Sequence, residues 1–424
     1  MPLCLSEATH GVLRRIPAIA ALAGSLVATS AGAQSLDDAI RHAIGAYPSI
    51  RAASANLESA TAEIDRAKGA LMPTLSLNAS ANHIENSPQS QSRVATPWVT
   101  WSAPINGRVD ADVQRTESGA RAAQAKVQLS RDDVALQVSE AWLAVVRGQQ
   151  LVQLAQSNLA EHDAILGDVR KIVAIDAGRS LDLTQAQVRL DAARSNLVVR
   201  QAELAQAREK LSRFFQVPRD PGRFERYPAL PRAVPATDDA AISQITSPAL
   251  AQARAQVDEA QARVLGATRL KNPTLDFTLG RQYLGMVSGT HVVAAAQFSL
   301  PIYQGGQLDA SIRAATSQLA AAQDTLKEVE LVVSERVRLG YADWGAARDR
   351  LTIASQQRET GARLVSGYRE QFRMARRTLL DLLNIQSELS NYQQAEALAQ
   401  YDVLISQYRI SAAMGHLAEA FASR

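Results

Sequence analysis

The sequence predicts a mainly α-helical protein with a smaller β portion, built as two tandem copies of one unit. Apolar side chains recur every seven residues over long stretches, which is typical of coiled-coil helices. The pattern returns after about 200 residues, which indicates a duplication. In each copy, two short segments of alternating residue character interrupt the helical pattern at the same place, which predicts a pair of strands.

The N-terminal 33 residues have the composition of a secretory signal. Arg14 and Arg15 precede an apolar run over 16–27, which ends in the small residues of 31–33. This arrangement predicts a signal peptide over 1–33, because the run is too short to span a bilayer as a helix. The single cysteine, Cys4, lies within it. We therefore expect a mature chain without disulfides and without a cysteine-based metal site.

The first helical segment shows the duplication most clearly. In the first copy it covers 36–71 and is interrupted at Pro48, and Pro248 begins the matching helix of the second copy. The seven-residue rows are in register, with Ile50, Leu57, Ile64 and Leu71 in one helix and Leu250, Val257 and Val264 in the other. The predicted divisions are a first repeat over 34–215, a Pro-rich connector over 216–237, a second repeat over 238–415 and a tail over 416–424.

Two strands follow the first helix of each copy. Alternation predicts them over 73–83 and 96–105 in the first copy, and over 273–283 and 291–302 in the second. Their lengths are close to the ~9–11 residues that a tilted strand needs to cross a bilayer. A soluble hairpin on a coiled coil would show the same alternation. The aromatic residues expected at a membrane interface are Trp98, Trp101, Phe298 and Tyr303.

The number of strands favours a shared barrel. Two hairpins give four strands per chain, which cannot close a barrel. Unpaired strand edges facing lipid cost several kcal/mol for each unsatisfied group. Three chains would supply about 12 strands, an even number of the kind found in outer-membrane barrels. The predicted fold class is therefore mainly α with a β-barrel portion: a long antiparallel coiled-coil α-barrel, plus four strands per chain in a 12-stranded trimeric transmembrane β-barrel.

The long helix of the first copy is predicted over 107–177, about 106 Å at 1.5 Å per residue. A last helix is predicted over 180–214. The first and last helices together equal the long helix in length, so we expect them to stack end to end along it. At the turn, Gly178 is expected to adopt a left-handed conformation and Ser180 to cap the next helix. Thr378 is the corresponding cap in the second copy.

Composition and motifs exclude several functions. Lys and Arg number 45 against 42 Asp and Glu, which argues against a nucleic-acid-binding surface. The six histidines are scattered singly, and His162, in a row of small residues on a helix seam, is expected to be a packed or partly solvated side chain rather than a ligand. The sequence contains no nucleophile elbow and no phosphate-binding glycine loop. We therefore predict no enzymatic activity, no metal and no cofactor.

The whole arrangement resembles the TolC family of trimeric outer-membrane channel-tunnels. The resemblance rests on the signal peptide, the two repeats and the Pro-rich connector. Its most specific motif is Gly-Tyr-Arg-Glu-Gln-Phe-Arg-Met-Ala-Arg-Arg-Thr-Leu-Leu-Asp-Leu-Leu-Asn at 367–384. This segment is similar to the periplasmic tip of that family, and its sequence is most similar to that of members that serve type I secretion.

The resemblance implies a homotrimeric duct in the cell outer membrane whose helical tunnel crosses the periplasm. Its inner end would dock a periplasmic adaptor (membrane fusion) protein and an inner-membrane ABC transporter, as in type I secretion. A proton-driven pump in place of the ABC transporter would make it the duct of a multidrug efflux pump. A periplasmic structural coiled coil without a pore is the remaining alternative from a different class of protein.

The resemblance also implies roles for residues at the tip. Asp381 and Asn384 correspond to acidic residues that ring the pore constriction, so Asn384 halves the expected charge. Arg377 corresponds to a tethering arginine and Asp182 to its partner. Phe372 replaces a tyrosine of the tether, and Ala375 replaces a glycine common at the tip. We expect an Arg377–Asp182 pair to help hold the closed state.

Overall fold

The computed structural model describes residues 35–83, 91–215, 228–230, 232–283 and 290–422. The predicted signal peptide and most of the predicted connector lie outside these residues. The helices are α1 (Leu36–Ala46), α2 (Pro48–Gly69), α3 (Arg108–Ile175), α4 (Ser180–Ser212), α5 (Asp238–Ser243), α6 (Pro248–Arg269), α7 (Gln307–Arg373), α8 (Leu379–Met414) and α9 (Leu417–Ala422). The strands are β1 (Thr74–His83), β2 (Gln91–Ala103), β3 (Thr274–Tyr283) and β4 (Thr290–Ser299).

Two long helices organise the molecule. Helix α3 has 68 residues and α7 has 67, so each is about 100 Å long. Helices α2 and α4 pack along α3, and α6 and α8 pack along α7 in the same way. Helix α6 also packs against α3, which joins the two repeats. The predicted arrangement of two shorter helices along one long helix is thus confirmed in both copies.

Turn chemistry explains where the long helices begin and end. Gly107 and Gly306 precede α3 and α7 with φ of 65° and 82°, a conformation that only glycine adopts without cost. The prediction of a left-handed Gly178 is wrong, because the first tip turn is a short 3-10 helix over Ala177–Arg179. The carboxylate of Asp176 stabilises this turn by accepting a hydrogen bond from the Gly178 N–H at 3.0 Å.

The caps at the two tips differ from each other. Ser180 is the first residue of α4 rather than its cap, and no side chain caps that helix. At the second tip, Thr378 caps α8 as predicted: its hydroxyl accepts from the Asp381 N–H at 3.2 Å, and the Asp381 carboxylate accepts from the Thr378 N–H at 3.3 Å. The residue before this cap that adopts a left-handed conformation is Ala375, with φ of 58°.

The four strands form one antiparallel sheet in the order β1-β2-β3-β4. Thr74 pairs with Thr100, Ala103 with Leu275 and Thr274 with Ser299. Strand β2 begins at Gln91, five residues before the predicted start, because its first residues still pair with the end of β1. Strand β4 ends at Ser299, before the predicted end, since Pro301 has no N–H to continue the ladder.

The two faces of the sheet differ in polarity. One face is apolar and carries Leu75, Leu77, Val99, Trp101, Phe277, Leu279 and Phe298, all of them exposed in the single chain. The other face carries mainly small polar side chains: Thr74, Ser76, Asn78, Thr100, Ser102, Asp276, Thr278 and Gln297. The sheet thus has the alternation that the sequence predicted.

The predicted interfacial aromatics divide between the faces. Trp101 and Phe298 lie on the apolar face, and the Trp101 ring stacks on Phe277 at 5.7 Å between centroids. Tyr303 lies beyond the end of β4. The prediction is wrong for Trp98, which lies on the polar face because it is three positions from Trp101 and successive side chains alternate.

The largest apolar cluster lies midway along the helices, where α1, α3, α8 and α9 meet. Trp142, Tyr401 and Tyr408 are fully buried there. The Tyr408 hydroxyl donates to the Pro228 carbonyl at 3.3 Å, which ties residue 228, in the predicted connector, to this cluster. Within the described part of the chain, no helix is both long enough and apolar enough to cross a membrane.

Candidate functional site

The tip of the molecule is formed by the ends of two helix hairpins. Hairpin α3–α4 and hairpin α7–α8 pack against each other through a cluster of buried apolar residues: Ile165, Leu166, Val169, Ala186, Leu190, Phe372, Leu379, Leu382 and Leu383. All four helices contribute to this cluster. The turns beyond it carry charged residues beside the exposed apolar side chains of Ile175, Leu181 and Met374. The buried cluster fixes the positions of these residues at the end of the molecule.

A cleft of about 660 Å³ separates the two tip turns. It is lined by Arg179 and Asp182 from the first hairpin and by Arg377 and Asp381 from the second. The structure therefore brings three of the sequence-predicted tip residues into one place. It also adds Arg179, which the sequence analysis missed although its spacing of three residues from Asp182 is visible in the sequence.

The ion pairs in this cleft lie within each hairpin. Arg179 approaches Asp182 to 2.7 Å, and Arg377 approaches Asp381 to 3.9 Å. Among the described residues of the single chain, no ion pair joins Arg377 to Asp182. Arg377 also donates to Gln371 Oε1 at 3.2 Å. The predicted Arg377–Asp182 contact therefore stays a prediction for the assembled tip.

Phe372 is a packing residue in the single chain. Its side chain is 5% exposed and lies in the apolar cluster under the cleft. The Arg179 guanidinium lies 5.8 Å from the centroid of its ring, and Arg377 lies 4.5 Å from the ring centroid of Tyr368. Cation–π contacts at these distances favour both arginines in their observed positions. In the single chain, Phe372 thus contacts Arg179 through its ring.

Asn384 connects the two hairpins through a hydrogen bond. Arg189 of α4 donates to its Oδ1 atom at 3.0 Å. Below this bond, His162 is 3% exposed, and its pKa is lowered by burial and further by the charge of Arg189. Burial thus favours the neutral imidazole, and the packed position agrees with the sequence prediction. Since Arg189 and Asn384 are 195 positions apart, no local spacing could have indicated their contact.

Two more arginines cross from α7 to α3. Arg369 binds Glu161, and Arg373 approaches Asp168 to 3.7 Å. Both pairs lie on the sides of the bundle just behind the tip turns. Together with the Arg189–Asn384 bond, they hold the second hairpin against the first. In the described ranges, no group of three or more His, Cys, Asp or Glu side chains is placed to hold a metal ion.

The opposite end of the molecule presents an incomplete sheet. Strands β1 and β4 are the outer strands, so each has one edge without a partner strand in the single chain. The apolar face between them includes Leu75 and Phe298, whose exposed fractions are 78% and 63%. An exposed apolar face bounded by free edges is unstable in water and requires a covering surface and further strands.

The amino-acid sequence matches the model of a known family. The model of the outer membrane efflux protein family matches residues 39–215 and 242–416, one segment in each repeat. The chain belongs to this family. It is therefore an outer-membrane protein of an efflux family and not an enzyme. The resemblance to the TolC family that the sequence indicated is confirmed at this level.

Individual relatives are distant in sequence. Outer membrane efflux protein BepC of Brucella suis is 23% identical in an alignment that covers 72% of this chain and 69% of BepC. Outer membrane protein TolC of Salmonella enteritidis is 23% identical in an alignment that covers 95% of this chain and 86% of TolC. The outer membrane channel CmeC of Campylobacter jejuni superposes with a TM-score of 0.79 at 14% identity, covering 90% of this chain and 85% of CmeC.

Proposed function

We propose that the protein is the passive exit duct of a type I secretion system. It acts as a homotrimer with a periplasmic adaptor protein and an inner-membrane ABC transporter that supplies the energy. The observation that carries the proposal is the open-edged sheet with one apolar and one polar face, joined to helices about 100 Å long. Such a sheet can face lipid and enclose water only as part of a closed barrel.

Three copies satisfy the requirements of this sheet. The free edge of β4 in one copy pairs with the free edge of β1 in the next, which leaves no strand edge exposed to lipid. The apolar face then contacts lipid and the polar face lines the lumen. In a water-soluble coiled coil without a pore, the apolar face of the sheet would stay exposed to water, with Leu77 70% exposed. This face therefore favours the duct.

Cysteine cross-linking between strands tests the trimer. The sequence has one cysteine, Cys4, within the predicted signal, so introduced pairs have no background. Each of two variants carries one cysteine in β1, at Ser76 or at Asn78, and one in β4, at Gln297. Both variants should form disulfides between chains. The expected product series ends at three chains, and a pair placed within one hairpin is the control. A series that ends at two chains, or no interchain product, would contradict the proposal.

The choice of type I secretion rests on the tip segment at 367–384 and its resemblance to that subgroup. The alternative is the duct of a multidrug efflux pump, which the family description and the name of BepC favour. Deletion of the gene separates them: type I secretion predicts loss of a secreted protein from the medium with drug susceptibility unchanged. Increased drug susceptibility with unchanged protein secretion would favour efflux instead.

We also propose that Asp381 and Asn384 lie at the constriction of the closed tip. Arg377 would then exchange its contact with Asp381 for one with Asp182 when three tips meet, because all three residues line the same cleft. In planar bilayers, Asp182→Ala should raise the conductance of the closed channel. Arg179→Ala is the matched control, since it removes the other partner of Asp182 and leaves Arg377. An unchanged conductance in Asp182→Ala would exclude the latch.

A further inference from the structure

Trp98 is an indole on the polar face of the sheet. Its Cα is paired with those of Ser76 on β1 and Gly280 on β3. A Cβ atom on Gly280 would lie 2.3 Å from the indole Cε3 atom, so the ring covers the glycine backbone directly. The side chain is therefore held flat against the sheet, and the glycine is required for that position.

One surface of the indole faces away from the sheet. Trp98 is half-buried in the single chain, and Gly280 lies against one surface of its ring. Its neighbours on the same face are small and polar, among them Thr100 and Thr278. Covering a strand glycine with an aromatic ring stabilises a sheet by itself. That role accounts for the contact with Gly280 but not for the part of the side chain that stays exposed in the single chain.

We propose that Trp98 forms a contact site for aromatic groups of the transported cargo. The proposal rests on the proposed duct, in which the polar face lines the lumen. Trp98 lies five positions before the end of β2, about 16 Å along the strand from the end that leads into α3, at ~3.3 Å per residue. Three chains place three indoles at this one level. Aromatic groups stack on such surfaces, and the gain in a single contact is about threefold to tenfold in affinity.

The first part of the test asks which environment each indole faces. In proteoliposomes, brominated phospholipid should quench the emission that is lost in Trp101→Phe. Aqueous iodide should quench the emission that is lost in Trp98→Phe. If brominated lipid does not quench Trp101, the sheet does not face lipid and the proposed duct itself fails. If Trp101 is quenched by lipid but iodide does not reach Trp98, only the cargo site is overturned.

The second part measures binding with matched cations. Phenyltrimethylammonium and butyltrimethylammonium carry the same charge, and only the former has a ring. Saturation-transfer NMR on the detergent-solubilised assembly should give about threefold to tenfold tighter binding for the phenyl compound. Trp98→Leu should abolish this preference, Trp98→Phe should keep part of it, and Trp101→Leu should not change it.

Two results would overturn the site. One is equal affinity of the wild-type protein for both cations, which needs no variant. The other is a preference that persists in Trp98→Leu. In either case the indole serves only to cover Gly280. Should Trp98→Leu fail to assemble, Gly280→Ala provides a second variant. The added Cβ displaces the ring from the face of the sheet while the indole is retained. An unaltered preference for the phenyl cation in this variant also contradicts the proposal.

Discussion

At the scale of single residues, Asp132 is a buried carboxylate that holds the C-terminal helix. It is 5% exposed and accepts a hydrogen bond from the Ala418 N–H of α9 at 2.7 Å. Burial raises its pKa to about 6; the bond from Ala418 opposes this rise, and the charges of Asp133 and Glu419 add to it. The ionised form is therefore disfavoured in the folded protein.

The raised pKa makes stability depend on pH in a defined direction. Between about pH 4 and about pH 6, the folded state keeps a proton on Asp132 that the unfolded chain has lost. The contribution of Asp132 to the free energy of unfolding therefore decreases as pH rises through this window, by up to roughly 3 kcal/mol. Above the window this contribution is constant. Asp132→Asn keeps an acceptor for Ala418 without the charge, so its melting temperature should exceed that of wild type at pH 7 and match it at pH 4.

Asp133→Asn is the control for this comparison, because Asp133 is exposed one position away. Because the charge of Asp133 adds to the raised pKa of Asp132, Asp133→Asn should raise the melting temperature at pH 7 by much less than Asp132→Asn does, and it should match wild type at pH 4. Circular dichroism of the detergent-solubilised protein at the two pH values provides the measurement. A difference between Asp132→Asn and wild type that is equally large at pH 4 and pH 7 would show that the charge is not the cause.

Ala375 carries backbone strain at the second tip. Its φ of 58° costs an L-residue about 1 kcal/mol relative to glycine. Ala375→Gly should therefore slow amide hydrogen exchange in the turn over 374–378, measured by mass spectrometry. Ala177→Gly at the first tip is the matched control, since Ala177 has a negative φ and glycine there should speed exchange. Faster exchange in Ala375→Gly would contradict the assignment of strain.

At the scale of elements, Gly415 is where α8 ends against the start of α6. It has φ of 81°, and an added Cβ would lie 2.7 Å from both the Ser247 Cα and the Pro248 Cδ atoms. Gly415→Ala should therefore destabilise the protein by about 2–4 kcal/mol, seen as a lower melting temperature. Gly45→Ala in α1 is the control, because a Cβ there meets nothing within 4 Å; equal effects of the two changes would count against the close approach.

The sequence predicted helices better than strands and turns. A seven-residue period is sustained over many turns, so the bounds of α3 follow from it to within a few residues. Strand β2 was predicted too short because its early residues pair with β1, which local alternation does not encode. Gly178 was given a left-handed conformation because glycine permits one, but the Asp176 side chain stabilises a 3-10 turn instead.

The tip residues were predicted by resemblance, whereas the contacts that they make in the single chain were not. Asp182, Arg377 and Asp381 lie in one cleft, yet each acid is paired with an arginine of its own hairpin. Arg189 was missed entirely, because its partner Asn384 belongs to the other repeat. Contacts between distant segments depend on how two hairpins pack, and a single sequence carries no direct signal of that packing.

At the scale of the whole molecule, the two faces of the sheet should respond differently to charge. Leu77→Arg places a cation on the apolar face, where it costs about 2–4 kcal/mol in lipid. Asn78→Arg places the same cation on the adjacent position of the polar face, where water solvates it. We expect Leu77→Arg to reduce the amount of heat-resistant assembly in the outer membrane and Asn78→Arg to leave it near wild type. Equal losses would contradict the assignment of the faces.

The unpaired edges of β1 and β4 have a consequence for inheritance. In the proposed ring of three chains, each chain pairs with its neighbours at both edges of its sheet. One defective subunit therefore prevents two intact subunits from closing the barrel. A variant with a blocked β1 edge, synthesised beside the normal protein, would enter most rings and inactivate them. Damage to this gene should therefore behave as dominant whenever the altered polypeptide still folds well enough to be recruited.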